Sequence, residues 1–349
     1  MSFQRKTIDA HIHLYEWFDP NGKTFYEVLD GLKRDTGLEG MCVIADEYLE
    51  WEGVTQNILT ALYKLHEPTA YANGCIVFPS YPVRLPLPEG MDALTQYEEL
   101  MAIGHDGIKI LCKPDIEKLI ALPINHPFYE PMFAQAEKDR TPFLWHVADP
   151  ESFWSPERRG RNCYSDGTYP SFETLFYQTF DVLKRHPRLT VTFAHFLFLS
   201  DRPEMLEQIF EHYGNVSIDV TPGTEMYVNF TKDLDFYRSF FQKHADRILF
   251  GTDATIPENP RSRERIESVY HALVTDETVP MGRKNVPVLG LALPQEATEP
   301  ILRGNFLRLW GETPKPVDPK ALKGYIQKYE HLIPMGKTKE MILQAAREL

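Results

Sequence analysis

"TIDAHIHLYEW", residues 7–17, places two histidines one residue apart almost as soon as the chain begins. The run reads as a β-strand, rich in apolar and β-branched residues and free of glycine and proline. Strand residues i and i+2 project to the same face, so His11 and His13 point the same way, with Asp9 just before them. Two imidazoles on one face can converge on a point that holds a metal ion.

Seven further β-rich runs follow: "GMCVIAD" (40–46), "GCIVFP" (74–79), "GIKILC" (107–112), "PFLWHVA" (142–148), "TVTFAHF" (190–196), "VSIDV" (216–220) and "RILFGTD" (247–253). Between them lie helical stretches such as "TFYEVLDGLKRD" and "SFETLFYQTFDVLKRH", whose apolar residues recur at spacings of three and four. Strand and helix alternating eight times predict an α/β fold, a (β/α)8 TIM-like barrel. The 349 residues suit one such barrel with additions, since about 250 residues is typical. The barrel is expected over residues 1–311, with a polar, proline- and glycine-marked insertion at 149–171 after the fifth strand. A helical extension over 312–349 is expected to pack on the barrel or to serve a subunit contact.

In this frame the ligand-type residues recur at equivalent places. His11 and His13 end the first strand, His146 the fifth, His195 the sixth and Asp253 the eighth, so all five face one mouth. Imidazole nitrogen with carboxylate oxygen suits one divalent transition metal, zinc foremost, with manganese or iron as alternatives. A position left for water makes such a site catalytic, because the metal acidifies that water toward a pKa of about 7. Burying four imidazoles and a carboxylate without a cation would be costly. For Asp253 the competing reading is a helix N-cap in "GTDATIPE"; the glycine before it and its place on the eighth strand favour the site.

Composition narrows the function classes. A net charge of −13 repels phosphate backbones and anionic lipid surfaces, which argues against nucleic-acid and membrane partners. No apolar leader and no apolar run of about 20 residues is present, so a cytoplasmic location is expected. Cys42, Cys75, Cys112 and Cys163 show no C-x-x-C spacing, and the first three lie in apolar runs that suit packing.

"DAHIHL", "LWHVADP", "TFAHF", "DRILFGTDA" and the closing "ILRGNFLRLWG" resemble the amidohydrolase superfamily, in its amidohydrolase-related (amidohydrolase 2) branch, across residues 7–311. The resemblance implies a distorted eight-stranded barrel and a metal held by His11, His13 and usually His146 and Asp253. It makes His195 a further metal ligand or a general acid/base that polarises substrate. In some relatives a lysine on the fourth strand is carboxylated and bridges two metals. The branch resembled here generally uses one metal, which leaves Lys109 to pair with a substrate carboxylate or with Asp253.

The 149–171 insertion carries Trp154, Arg158, Arg159, Arg161, Tyr164 and Asp166. Arginine forks match carboxylates and aromatic rings offer planar stacking, so Arg158, Arg161, Tyr164 and Trp154 are candidate substrate contacts on a lid. Glu47 is a further carboxylate near the mouth, equally explained by helix-start polarity. Asp219 on the seventh strand is a candidate to support the site from behind, and His126, His186 and His244 read as structural.

These readings converge on a metal-dependent hydrolase of a small carboxylated amide or lactone, with His195, Asp253 and Lys109 as catalytic candidates. Non-oxidative decarboxylation of an aromatic or unsaturated acid is the alternative. A metal-dependent deoxyribonuclease fits less well, because such enzymes carry a glutamate where this chain has Lys109, and a non-catalytic binding protein would not need intact ligand positions. The expected partner is a small-molecule substrate, and self-association as a homo-oligomer stays open.

Overall fold

The computed structural model describes residues 3–15, 23–46, 50–160, 162–256 and 261–349. Among them, nine parallel strands form the main sheet: β1 (Ile8–Leu14), β2 (Gly40–Ile44), β3 (Tyr71–Gly74), β4 (Gly107–Cys112), β5 (Phe143–Val147), β6 (Val191–Phe193), β7 (Val216–Asp219), β8 (Ile248–Leu249) and β9 (Ala254–Ile256). Their order is β8-β7-β6-β5-β4-β3-β2-β1-β9. The two outermost pieces, β8 and β9, are consecutive in the chain. β8 pairs with β7 and β9 with β1, and between them Ala10 N donates to Phe250 O at 3.0 Å. One continuous segment therefore borders both ends of the sheet and closes it into a barrel, its eighth strand broken at residues 250–253.

The strands are wrapped by α1 (Phe25–Thr36), α2 (Glu50–His66), α3 (Ala93–Ile103), α4 (Pro114–Ile120), α5 (Glu130–Asp139), α6 (Phe172–Arg185), α7 (Pro203–His212), α8 (Thr224–Lys232), α9 (Leu234–Lys243) and α10 (Arg261–Val274). Local chemistry sets their ends. The Thr24 hydroxyl accepts from Glu27 N while Glu27 accepts from Thr24 N, a reciprocal cap that starts α1, and Gly37 at φ 79° ends it. In α6, Ser171 caps the start and Phe172, Leu175, Phe176, Thr179, Val182 and Leu183 form its buried stripe.

The core has two layers. Outside the sheet, Trp145 stacks on Phe133 of α5 with centroids 5.7 Å apart, so its strand neighbours Leu144 and His146 face inward. Inside, Ile8, Ala10, Cys42, Ile44, Leu144 and Leu249 meet Phe306 and Trp310, which plug the barrel floor from α12 (Asn305–Trp310). α11 (Gln295–Glu299) precedes that plug.

β1 carries the irregularity that matters most. Its register with β2 runs Asp9↔Met41 and then Ile12↔Val43, which is one residue more on β1 than on β2. Before this bulge Ile8 and Ala10 lie in the inner cluster; after it Ile12 and Leu14 lie in the outer one. The bulge flips the side-chain parity and turns His11 and His13 into the interior.

Three elements differ from the sequence expectation. The third strand is 71–74, not 74–79. Beyond Gly74 the buried chain bonds to helix side chains instead of a neighbouring strand: Cys75 N donates to Asn57 Oδ1, and Val77 N to Gln96 Oε1. The eighth strand is the broken pair β8/β9. A two-stranded antiparallel hairpin, β10 (Thr278–Met281) with β11 (Val286–Leu289), follows α10 where no element was expected. At the C-terminus, α13 (Pro319–Tyr329) packs on α2 and α3 and contacts α14 (Lys337–Glu348). No described helix is long and apolar enough to cross a membrane.

Candidate metal centre

His11 Nε2, His13 Nε2 and Asp253 Oδ1 meet at the C-terminal mouth of the barrel. The nitrogens are 3.1 Å apart, and Asp253 Oδ1 lies 3.0 Å from His13 Nε2 and 3.8 Å from His11 Nε2. All three ligand atoms fall within 4.8 Å of one another. The bulge in β1 supplies the histidines, and the break in the eighth strand supplies the carboxylate. Asp253 adopts φ 54°, a left-handed conformation sparsely used by residues other than glycine. Arg265 of α10 steadies it by donating to Asp253 Oδ2 at 3.0 Å and to the Asp253 carbonyl. Behind the site, Asp9 accepts from His11 N, Thr252 N and Thr252 Oγ1, strapping β1 to the broken strand. Burial pushes the Asp9 carboxyl up to about 7 against those bonds.

Each histidine is backed by a second carboxylate. His11 Nδ1 lies 2.8 Å from Asp219 Oδ2, and His13 Nδ1 3.0 Å from Asp46 Oδ2. A carboxylate only accepts, so His11 carries hydrogen on Nδ1 and turns Nε2 toward the site, while His13 stands between two carboxylates, Asp46 beside Nδ1 and Asp253 beside Nε2. The carboxylates gathered here attract positive charge. Lys109, fully buried, answers in part, its Nζ 3.2 Å from His11 Nε2. The titration tendencies follow the same logic. Burial lowers His11 well below its usual value, with Lys109 and His13 adding to the effect. Burial would also lower His13, but Asp46 and Asp253 outweigh it and raise His13. Burial would raise Asp253, yet His13, His195 and His11 hold it well below the carboxylate range.

The fit to a divalent cation rests on this donor set: two imidazole nitrogens and one carboxylate oxygen, close enough to share one ion, each imidazole held from behind by an anionic acceptor. Two imidazole nitrogens 3.1 Å apart with a carboxylate oxygen 3.0 Å from one of them form a crowd of ligand atoms that one cation would reconcile.

His146 and His195 stand beside the cluster, not in it. His195 Nε2 is 3.1 Å from His146 Nδ1, and His146 Nε2 is 2.9 Å from Ala148 O. Burial lowers both, for His195 well below its usual value with His146 adding to it, and for His146 against the pull of Asp149. His195 starts a one-turn left-handed stretch, His195 through Phe198, with φ of 58°, 55°, 53° and 54°. Such backbone costs roughly 1–2 kcal/mol per residue and persists only where the surroundings impose it. Here His195 N donates to Asp219 Oδ1 at 2.8 Å and to Thr221 Oγ1 at 3.0 Å.

The cluster opens into a cavity of about 300 Å³ whose walls include His13, Asp46, Lys113, His146, Asp149, Phe153, Asn162, His195, Phe198, Glu225 and Asp253. The insertion contributes Asp149, Phe153 and Asn162, while the three described side chains expected from it are engaged elsewhere. Arg158 lies over the Phe153 ring at 3.4 Å and donates to Asn162 O. Tyr164 donates to Asp149 Oδ2 at 2.7 Å, and Trp154 to Pro170 O. None of these three is among the residues lining the cavity; their contacts tie the loop to itself. Arg161 and Glu47 lie outside the described residues.

Asp46, Lys113, Asp149 and Glu225 were not singled out from the sequence as site residues. A signal existed for two of them. Asp46 and Asp149 close "GMCVIAD" and "LWHVAD", the strand-end position used to find the histidines. Glu225 and Lys113 had none, since their direction depends on how the following helix starts.

A closed parallel barrel with an imidazole–carboxylate cluster at its C-terminal mouth defines a class of enzymes that work on small molecules through a bound cation. A family model described as Amidohydrolase matches residues 80–311, most of the chain. The protein belongs to the amidohydrolase family and is an enzyme of hydrolase or lyase type. The matched span begins after β3, so the His11–His13 pair lies outside it and joins the site through the fold. No curated protein matches the chain. Solved structures share its architecture at low identity. An uncharacterised TIM-barrel protein from Bordetella bronchiseptica is 16% identical over 87% of this chain and 98% of its own, with a TM-score of 0.57. A probable 2-pyrone-4,6-dicarboxylic acid hydrolase from Acinetobacter baumannii with citric acid bound is 11% identical, covering 88% and 100%, with a TM-score of 0.54. The apo IDCase of Metarhizium anisopliae is 12% identical, covering 88% and 97%, with a TM-score of 0.52.

Proposed function

We propose that the protein is a metal-dependent hydrolase of a small carboxylated amide or lactone, with one divalent transition metal, zinc foremost, held by His11, His13 and Asp253. The convergence of their three ligand atoms within 4.8 Å at the cavity floor carries this reading. When bound, such a cation supplies Lewis acidity and a water acidified toward a pKa of about 7. The chain's own groups do the rest. His195 faces the cavity in a neutral form and serves as general acid/base toward the reacting carbonyl. Asp253 passes the proton on to the leaving group, its outer oxygen steadied by Arg265. Lys113 in the cavity wall, 4.0 Å from Asp149, is the cation offered to a substrate carboxylate. Lys109, buried beneath the cluster, adds positive charge there. The hydrolase similar in fold, whose name gives a dicarboxylic acid as substrate, supports an acidic substrate.

Non-oxidative decarboxylation is the second reading, favoured by Phe153 and Phe198 in the cavity wall, whose rings suit a planar unsaturated acid. The experiment is an assay of the zinc-loaded protein on panels of lactones, amides and aromatic acids. Hydrolysed product is expected; carbon dioxide released without it would replace the first reading with the second.

A further inference from the structure

Asp219, the last residue of β7, is fully buried and outside the cavity wall, yet its carboxylate reaches both sides of the site. Oδ2 faces His11 Nδ1 at 2.8 Å. Oδ1 accepts from His195 N at 2.8 Å, from Thr221 N at 3.0 Å and from the Thr221 hydroxyl. An ionised carboxylate has about four acceptor positions, and four donors occupy this one. We propose that Asp219 is the positioning residue that sets the hydrogen placement on His11, turning its Nε2 toward the site, and that anchors the backbone on which His195 is carried. The inference rests on the metal-dependent reading above and deepens it.

Asp219 can only accept, so His11 must carry its hydrogen on Nδ1, which leaves Nε2 free to ligate. The Thr221 hydroxyl has one hydrogen and gives it to Asp219. Toward His195 Nδ1, 3.1 Å away, Thr221 Oγ1 can then only accept. At its other nitrogen, Nε2, His195 meets His146 Nδ1 at 3.1 Å, and His146 Nε2 faces the Ala148 carbonyl, so the hydrogen of His195 is contested between Thr221 and His146 and is not set by Asp219. Asp219 Oδ1 instead holds His195 N, the first amide of the left-handed turn, and so anchors the backbone that carries the ring.

The near-isosteric Asp219→Asn variant separates this role from simple packing. If the amide nitrogen faces His11, the ring is driven to carry hydrogen on Nε2 and its ligating lone pair is lost. If the amide nitrogen faces the other way, it meets the donors of His195 and Thr221. Zinc affinity, read by competition with a chromophoric chelator, is expected to fall about 10- to 100-fold in Asp219→Asn. Thr221→Val should leave zinc affinity unchanged while altering His195. A folded Asp219→Asn protein, by circular dichroism, that binds zinc like wild type would overturn the proposal. Should that variant not fold, nitrogen-15 NMR of histidine in the wild-type protein decides. His11 is expected to be protonated at Nδ1 and bare at Nε2, and an Nε2-protonated His11 would refute it. Wild-type protein that takes up no zinc would instead defeat the metal-dependent reading, while the NMR result still judges Asp219.

Discussion

His11 and His13 differ from His195 in what their loss should do. The first two aim Nε2 atoms at a shared point with Asp253 Oδ1, whereas His195 aims at His146 and the cavity. His11→Ala should reduce bound metal from about one equivalent to near none in protein purified without chelator. His195→Ala should keep the metal and lose turnover, and equal metal loss in both would make His195 a ligand. His146→Ala asks whether the fifth-strand histidine is a ligand, as the sequence resemblance implies, or only the partner of His195. Metal lost in that variant assigns the former. At this scale the side chains that converge, His11, His13 and Asp253, were legible because their chemistry and their strand-end positions coincide. The residues that orient them were less so. Asp219 stood out by its place on the seventh strand, but Asp46 looks like any buried strand-end acid until the atoms it faces are known, and nothing in the sequence marks Arg265 as the partner of Asp253.

Two irregular elements build the mouth, the bulge in β1 and the break between β8 and β9. Periodicity shows that alternate residues share a face but not which face, and the bulge decides that for His11 and His13. The break works through close approach. A Cβ on Gly251 would sit 3.1 Å from His11 Cβ, 3.1 Å from Thr221 Cγ2 and 3.3 Å from Asp219 Oδ2. Gly251→Ala should therefore destabilise the protein by about 1–3 kcal/mol and weaken metal retention, because the atoms that must move are those of the site. Gly214→Ala is the control, since a Cβ there meets nothing within 4 Å. Thermal midpoints of the two variants, read with their metal content, test this; equal midpoints would mean the neighbours give way without cost. The strand order itself was readable from alternation. The true third strand was not, because residues 75–78 are as buried and apolar as a strand, and only Asn57 and Gln96 divert their backbone bonds. The four-residue left-handed turn after β6 carries no glycine to announce it.

On the scale of the whole molecule, the C-terminal extension is sewn to the barrel along α2 and α3. Lys315 N donates to Asp106 Oδ1 and Asp318 N to Ile103 O, while Tyr325 and Tyr329 reach Asn57 and Glu99. In this seam Lys64 donates to Asp106 Oδ2 at 2.5 Å and to Gly104 O. His105 lies beside it, buried, with Nδ1 on Leu100 O at 3.2 Å and Nε2 3.1 Å from Thr60 Oγ1. Burial, with Lys64 adding to it, pushes His105 down to about 3 from an ordinary value of 6.5. The sign follows directly. Between these values the unfolded chain binds a proton that the folded chain refuses, so stability present above 6.5 is lost progressively as the pH falls toward 3. The loss from this one group is at most about 1.4 kcal/mol per pH unit. His105→Gln removes the titrating group, so its thermal midpoint should fall less than that of wild type between neutral and mildly acidic pH, even if it is lower at neutrality. Carboxylates elsewhere titrate equally in both proteins, which makes the difference in slope the measured quantity. Parallel slopes would show that His105 is not what acid acts on at this seam.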